Sequence, residues 1–337
     1  MTKSKHSKNT VLAGLLIFCI FNSAVNAEIS TNPNNDELLR MLPAEIVFCV
    51  RINNLENSLN QTDQFLTGIS PMPMWLSMMA RGQLSNILGS PELTGLNMSG
   101  SFVIFGVSVD AYTPDISFGI LAPVTDYKQF IDDNPNLSQP DEYGISKITI
   151  SKIGGMLIKQ AGNYAFLSHD DNVSFAAIAK LLSATETGGL ASVLDTTEIR
   201  QAVNEPIWIY GNIQIISKIF GEDIHTQLEK TKDLMKQSGN KQAPPGIAQI
   251  MNVYISALDT LIKETKSSSL TISPKPNVLN IGLCISTMPG TDMANILVAD
   301  ASAEKENKLL GYFEDSAVMN FAAKMNTPFW KLNSFSI

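Results

Sequence analysis

Three short apolar runs joined by glycine turns constrain the fold of this chain more than any other feature. The runs "ISKITIS" (145–151), "GGMLIKQA" (154–161) and "NYAFLSH" (163–169) follow one another, with Gly154–Gly155 and Gly162–Asn163 at the turns. Tight turns of this kind join antiparallel strands, whereas parallel strands need a crossover of a dozen residues or more. The stretch therefore predicts an antiparallel meander.

Other segments extend the same pattern. The runs "SFVIFGVSV" (101–109) and "DISFGILAP" (115–123) predict a hairpin, and Glu45–Asn53 alternates as a strand with one better-buried face. Helical spacing of apolar residues follows the Asn53–Asn54 cap and recurs in "DNVSFAAIAKLLSA" and "TTEIRQAV". The sequence predicts the α+β class, with antiparallel strands and helices packed on them, in one domain over residues 28–300.

The first 27 residues form a signal-peptide pattern. Lys3, Lys5 and Lys8 precede the apolar run "VLAGLLIFCIF", and a polar step ends at Ala27. The apolar run is shorter than the roughly 20 residues that span a bilayer, and no later stretch reaches that length without a charge or a proline. We expect cleavage before Glu28, export to the periplasm or the medium, and no transmembrane segment in the mature chain.

Charge excludes one class of partner. The formal net charge is −8, and removal of the three leader lysines makes the mature chain more acidic. Its lysines are scattered, whereas binding to a phosphate backbone needs clustered Lys and Arg. We therefore expect no nucleic-acid partner.

Two cysteines, Cys49 and Cys284, remain after the predicted cleavage. Export permits a disulfide between them. Each lies in an apolar, strand-like run, and lone cysteines in such runs usually behave as small buried hydrophobes. The sequence favours two free thiols and leaves the bridge open.

The stretch "SPMPMWLSMMARGQLSNIL" (70–88) places Met72, Met74, Met78 and Met79 around Trp75. Four thioethers within eight residues are soft ligands suited to Cu(I). Methionines one helical turn apart also fill irregular core gaps. A third interpretation is an exposed apolar surface that contacts a protein partner, a second copy or a lipid. The two prolines and Trp75 favour this surface over pure core, and we take these five residues as the candidate binding site.

Motifs for catalysis are weak throughout. His169 stands beside Asp170 and Asp171, and Glu222 lies three residues before His225 on a predicted helix. Neither the zinc-peptidase pattern, nor a Gly-x-Ser-x-Gly elbow, nor a phosphate-binding Gly-x-x-x-x-Gly-Lys occurs in the sequence. We predict no catalytic residues, no metal site and no cofactor.

The tail (301–337) permits two interpretations. "NKLLGYFEDSAVMNFAAKMNTPFWKLNS" can be aligned with "DELLRMLPAEIVFCVRINNLENSLNQ", with Val318 on Val47. The tail is then the start of a truncated second repeat. Alternatively, it is a C-terminal strand region that completes the sheet of a single domain.

The segment "LPAEIVFCVRINNLENSLNQTDQFLTGISPMPMWLSMMARGQLSNILGSPELTG" (42–95) resembles the N-terminal region of large exported bacterial proteins of unknown function, of planctomycete type and DUF3352-like. The resemblance implies a signal peptide and a duplicated α+β body, and it carries no catalytic residues. Our leading hypothesis is an exported, non-enzymatic binding or structural module. The alternatives are a hydrolase with dispersed catalytic residues, such as His169 with Asp170, and a Cu(I)-binding protein.

Overall fold

A nine-stranded antiparallel sheet forms the centre of the protein. The computed structural model describes residues 36–69, 75–108, 116–150, 154–183, 188–239, 256 and 258–297. The strand order is β4-β5-β6-β3-β2-β1-β7-β8-β9, and every neighbouring pair is antiparallel. The strands are β1 (Ile46–Ile52), β2 (Phe102–Ser108), β3 (Ile116–Pro123), β4 (Ser146–Ile150), β5 (Gly154–Ala161), β6 (Tyr164–His169), β7 (Ile207–Gly211), β8 (Thr265–Lys275) and β9 (Val278–Thr287).

Helices pack against the sheet, so the predicted α+β class is confirmed. The helices are α1 (Glu37–Met41), α2 (Leu55–Ile69), α3 (Leu76–Leu88), α4 (Tyr127–Asp132), α5 (Asn172–Ser183), α6 (Thr196–Asn204), α7 (Ile213–Gly239), α8 (258–264) and α9 (Asp292–Leu297). A 3₁₀ turn spans Gly189–Ser192.

The predicted meander and hairpin are both present. Strands β4, β5 and β6 pair in sequence order, and β2 pairs with β3. Gly162–Asn163 forms the predicted two-residue turn between β5 and β6. The turn predicted at Gly154–Gly155 is wrong, because both glycines belong to β5 and pair with Ile150 and Thr149 of β4.

Two apolar clusters hold the helices on the sheet. The larger one joins α1, α5 and α6 to the central strands, and Phe105, Phe166 and Trp208 are fully buried in it. The smaller one joins Leu88, at the end of α3, and Phe130 of α4 to strands β4, β5 and β6. Helix α3 is thereby fixed to the domain at its carboxyl end.

A buried ion pair lies beneath α1. Arg51 in β1 is 4% exposed, and its guanidinium donates to both carboxylate oxygens of Asp36 at 2.9 Å. It also donates to Asn53 Oδ1 at 2.6 Å. The better-buried face of β1 therefore carries a charge, which the alternation of apolar residues did not predict.

The sheet keeps the two cysteines apart. Cys49 pairs with Tyr210, Tyr210 with Ser269, and Ser269 with Cys284. Three strand spacings of about 4.8 Å separate the two residues by about 14 Å, too far for a disulfide. Both thiols are free.

None of the helices within the described ranges is long and apolar enough to cross a membrane. The predicted signal peptide and the tail lie outside the described residues, as do Met72 and Met74.

Candidate functional site

The candidate site lies where α3 begins, on a pair of contacting helices. Helices α2 and α3 are joined by residues 70–74, and they contact each other. Arg81 in α3 forms an ion pair with Glu56 in the first turn of α2. The middle of α3 thus meets the start of α2, so the helices run in opposite directions.

Asp63 of α2 supplies the N-terminal cap of α3. The residue at the cap position, Trp75, makes no side-chain capping bond. The Asp63 carboxylate instead accepts from the amide of Leu76 at 2.6 Å, and from the amide and hydroxyl of Ser77. Asp63 is buried, and its negative charge lies at the positive end of the helix dipole.

The opposite end of α3 is fixed as firmly. Gly89 adopts the left-handed conformation with φ 73°, and its amide donates to the Ser85 carbonyl at 2.8 Å. The side-chain amide of Asn136 donates to the carbonyl of Ile87 at 2.9 Å. Side chains at the beginning of α3 are therefore presented from a helix that is held at both ends.

Three large apolar side chains are exposed at that beginning. Trp75 is 56% exposed, Met78 is 68% exposed and Met79 is 58% exposed. We call Trp75, Met78 and Met79 together the tip surface. Between Asp63 and Arg81 no residue carries a charge. The tip surface is thus apolar, accessible and free of charge.

The exposure of Met78 and Met79 shows that the core-packing interpretation is wrong for these two residues. The methionine spacing is the same for a buried and an exposed helix face, so the sequence could not distinguish them. Met78 and Met79 are also successive helical residues, whose side chains point about 100° apart. The two thioethers alone do not converge on one ion.

The other sequence candidates belong to other elements of the fold. His169 ends β6 and is exposed, and Asp170 Oδ1 lies 3.5 Å from Lys147 Nζ. The neighbouring Ser168 hydroxyl is buried and donates to the Phe118 carbonyl at 2.7 Å. Glu222 and His225 are exposed on α7.

Across the described parts of the chain, no group of three or more His, Cys, Asp or Glu residues is placed to hold a metal ion.

A buried acid packs α6 on β8. Glu198, 1% exposed, completes a capping box with Asp195 and accepts from the Ser267 hydroxyl at 2.9 Å. Burial raises the pKa of its carboxyl group. Gln201 of the same helix accepts from Ser269, and Glu205, the residue that follows the helix, accepts from Ser273. Every partner of this row belongs to the protein itself, so the row is a structural contact.

Comparison with known proteins adds no named family. No family model matches the chain, and no curated protein matches it. A solved structure, described as crystal form IV of TP0453, matches with a TM-score of 0.35 at 8% identity, over 73% of this chain and 79% of that one. The resemblance to DUF3352-like proteins stays a prediction.

Sequence reasoning missed Asp63, the residue that positions the tip surface. Its signal is weak, because an acid within a helix is normally solvated and the helix end that it caps is thirteen residues further along the chain.

Proposed function

We propose that this protein is an exported, non-enzymatic binding protein of the cell envelope, and that its tip surface binds the interface of a lipid bilayer. The observation that carries the proposal is the exposure of Trp75, Met78 and Met79 on a helix fixed at both ends. The signal-peptide pattern supports export.

The chemistry of the tip surface favours a lipid over a charged ligand. Desolvating a charge is costly, and no charged residue stands between Asp63 and Arg81. Tryptophan is enriched at membrane–water interfaces because its ring is apolar and its N–H is polar. Methionine is unbranched and flexible, so it adapts to acyl chains of irregular packing.

Charge also indicates which lipid headgroup is preferred. Amphipathic helices that bind anionic membranes are rich in Lys and Arg. Helix α3 has one basic residue, Arg81, and Glu56 already pairs with it. The whole chain has a net charge of −8. A zwitterionic surface therefore suits this protein better than an anionic one.

Flotation with phosphatidylcholine vesicles tests the proposal. The protein is purified after export, and an intact mass establishes that residues 1–27 are absent, since the leader would itself bind lipid. The wild type is compared with a triple variant, Trp75→Ser, Met78→Ser and Met79→Ser. Tyr143→Ser is the matched control, because Tyr143 is an aromatic side chain 69% exposed on a loop.

We expect the wild type and Tyr143→Ser to float with the vesicles and the triple variant to remain at the bottom. Burial of one large apolar side chain is worth about 1.5 kcal/mol or more, which is about tenfold in partitioning per residue. Equal flotation of the triple variant overturns the proposal. A second result also overturns it: the wild type does not float, and it forms a dimer that the triple substitution dissociates. The tip surface then binds a second copy rather than a lipid.

A further inference from the structure

Two methionines of the tip surface have side chains that solvent reaches freely. Met78 is 68% exposed and Met79 is 58% exposed. Oxidation of methionine to its sulfoxide requires contact between the sulfur atom and the oxidant. The other methionines whose side chains the structure describes are less exposed: Met156 is buried, and Met41, Met98, Met288 and Met293 are partly buried. The fold therefore leaves Met78 and Met79 open to a dissolved oxidant and shields these others.

Packing explains why the other methionines are shielded. Met41 packs against the larger apolar cluster, and Met98 packs against the smaller one, in which Met156 is itself buried. The Met293 sulfur accepts from the Thr265 hydroxyl at 3.9 Å. Sulfur is a weak acceptor, so this contact mainly shows that the Met293 side chain lies against β8. These packed side chains are internal reference sites for the two exposed methionines.

The two cysteines compete poorly for an oxidant at neutral pH. Cys49 is buried and Cys284 is partly buried. Burial raises the pKa of Cys49 to about 12 and that of Cys284 to about 11. The thiolate is the form that reacts with oxidants, and little thiolate is present so far below these pKa values. Among the sulfur side chains that the structure describes, Met78 and Met79 are therefore the first targets of oxidation.

Oxidation would change the chemistry of the tip surface. A thioether is apolar and flexible, whereas its sulfoxide is polar and chiral. Met78 and Met79 follow Trp75 by three and four residues, so both lie one helical turn from it. Burial of one large apolar side chain is worth about tenfold in partitioning. Each oxidised methionine therefore lowers the partitioning of the tip surface into an apolar phase by up to about this factor.

We propose that Met78 and Met79 form a reversible oxidation site that converts the tip surface from apolar to polar, with a hydroperoxide as the oxidant. The methionine sulfur donates an electron pair to the terminal peroxide oxygen. An S–O bond forms, the O–O bond breaks, and the proton passes to the leaving oxygen, which becomes an alcohol, or water when the oxidant is hydrogen peroxide. The sulfur loses two electrons and the peroxide gains them.

Reduction restores the thioether. Methionine sulfoxide reductases, one for each sulfoxide epimer, carry out this step. Two thiols become a disulfide, and the sulfoxide oxygen leaves as water. The control of lipid binding by this site rests on the proposed function, whereas the oxidation and the change in polarity do not.

Oxidation mapping tests the site itself. The protein is treated with hydrogen peroxide at neutral pH, and tandem mass spectrometry follows sulfoxide formation at each methionine over time. In the folded protein we expect sulfoxide at Met78 and Met79 before Met156 and Met293. In urea, where the fold is lost, we expect similar rates at all four. Similar rates at all four in the folded protein overturn the inference.

Hydrophobic-interaction chromatography on a phenyl column measures the polarity of the tip surface. We expect the oxidised wild type to elute earlier than the reduced protein, and both reductases with dithiothreitol to restore the retention. Met78→Leu combined with Met79→Leu is the matched control, because leucine keeps an apolar side chain and removes the sulfur. Unchanged retention of the oxidised wild type, or an equal loss of retention in the leucine variant, overturns the inference.

Flotation of the same samples with phosphatidylcholine vesicles separates this inference from the proposed function. We expect the reduced wild type and the peroxide-treated leucine variant to float, and the oxidised wild type to remain at the bottom. If the reduced wild type does not float while oxidation still shortens its retention, lipid binding is overturned and the oxidation site is supported. If the oxidised wild type floats as fully as the reduced protein, control of lipid binding by oxidation is overturned.

Discussion

The carboxylate of Asp63 in α2 lies 2.6 Å from the first backbone amide of α3, at Leu76. One buried side chain thus fixes the start of the helix that carries Trp75, Met78 and Met79. The geometry of the tip surface therefore depends on a contact between two helices.

Replacement of Asp63 weakens the start of α3. Asp63→Ala leaves the amides of Leu76 and Ser77 without their acceptor. Loss of an N-terminal cap lowers the free energy of unfolding by about 1–2 kcal/mol. Asp63→Asn keeps one acceptor oxygen, so its loss is smaller. Urea denaturation measures both, and Gln64→Ala, at an exposed neighbouring position of α2, is the control. An Asp63→Ala protein as stable as Gln64→Ala contradicts the assigned cap.

Lipid headgroup charge changes the affinity in a defined direction. Because the tip surface is uncharged and the protein is acidic, binding to phosphatidylglycerol vesicles is weaker than binding to phosphatidylcholine at low salt. Added salt screens the repulsion and reduces the difference, since the Debye length is about 10 Å at 0.1 M. Co-sedimentation over a salt series measures this. Tighter binding to phosphatidylglycerol, lost on adding salt, indicates a basic surface and contradicts the account.

Glu198 makes stability fall as the pH rises. Burial raises its pKa in the folded state, so the folded protein binds more protons than the unfolded one between the two pKa values. The free energy of unfolding falls as the pH rises through this interval, and the loss is complete once the Glu198 carboxyl group is ionised in the folded protein. Glu198→Gln preserves the capping box, because a glutamine side chain at this position can also accept from the backbone amide of the N-cap residue. The substitution removes the ionisable carboxyl group.

We therefore expect Glu198→Gln to gain stability relative to wild type as the pH is raised from 4 to 7. Urea titrations at several pH values measure the difference. Glu205→Gln, at the C-cap of α6, is the comparison variant, since Glu205 is less buried. A difference between wild type and Glu198→Gln that does not change with pH contradicts the raised pKa.

The thiol of Cys284 reacts slowly at neutral pH. Burial raises its pKa to about 11, and burial raises that of Cys49 to about 12. The thiolate is the reactive form, so the labelling rate of Cys284 keeps rising by about tenfold per pH unit beyond pH 8.5, where an ordinary thiol levels off. The rate of alkylation by iodoacetamide is measured at each pH by quenching samples at intervals. Circular dichroism establishes that the protein is folded at each pH. A plateau near pH 9 contradicts the assignment, and Cys284→Ser identifies the signal.

The fold could be predicted wherever local chemistry decides it. Gly162–Asn163 joins apolar runs too short for anything but a hairpin, and β5 pairs with β6 as predicted. The pairing of β4 with β5 is also as predicted, although Gly154 and Gly155 begin β5 rather than forming its turn. The Asn54 cap is local too, since its side chain accepts from the amide of Asn57 at 3.0 Å.

Features that depend on distant residues could not be predicted. Arg51 pairs in the folded protein with Asp36, the N-cap residue of α1. Simple alternation cannot distinguish such a paired, buried charge from a solvated one. Asp63 caps a helix other than its own for the same reason. The methionine spacing is compatible with both a buried and an exposed helix face. Met78 and Met79 are exposed in the fold, and the spacing alone does not show this.

Trp75 emission in the presence of vesicles tests the central claim most directly. Trp330→Phe removes the tail indole, and Trp208 is fully buried and serves as a constant background. On adding phosphatidylcholine vesicles, we predict that the emission shifts to shorter wavelength and is quenched by brominated acyl chains, and that the Trp75→Phe, Trp330→Phe protein shows neither change. An emission spectrum that saturating vesicles leave unaltered, in the protein that retains Trp75, contradicts the account.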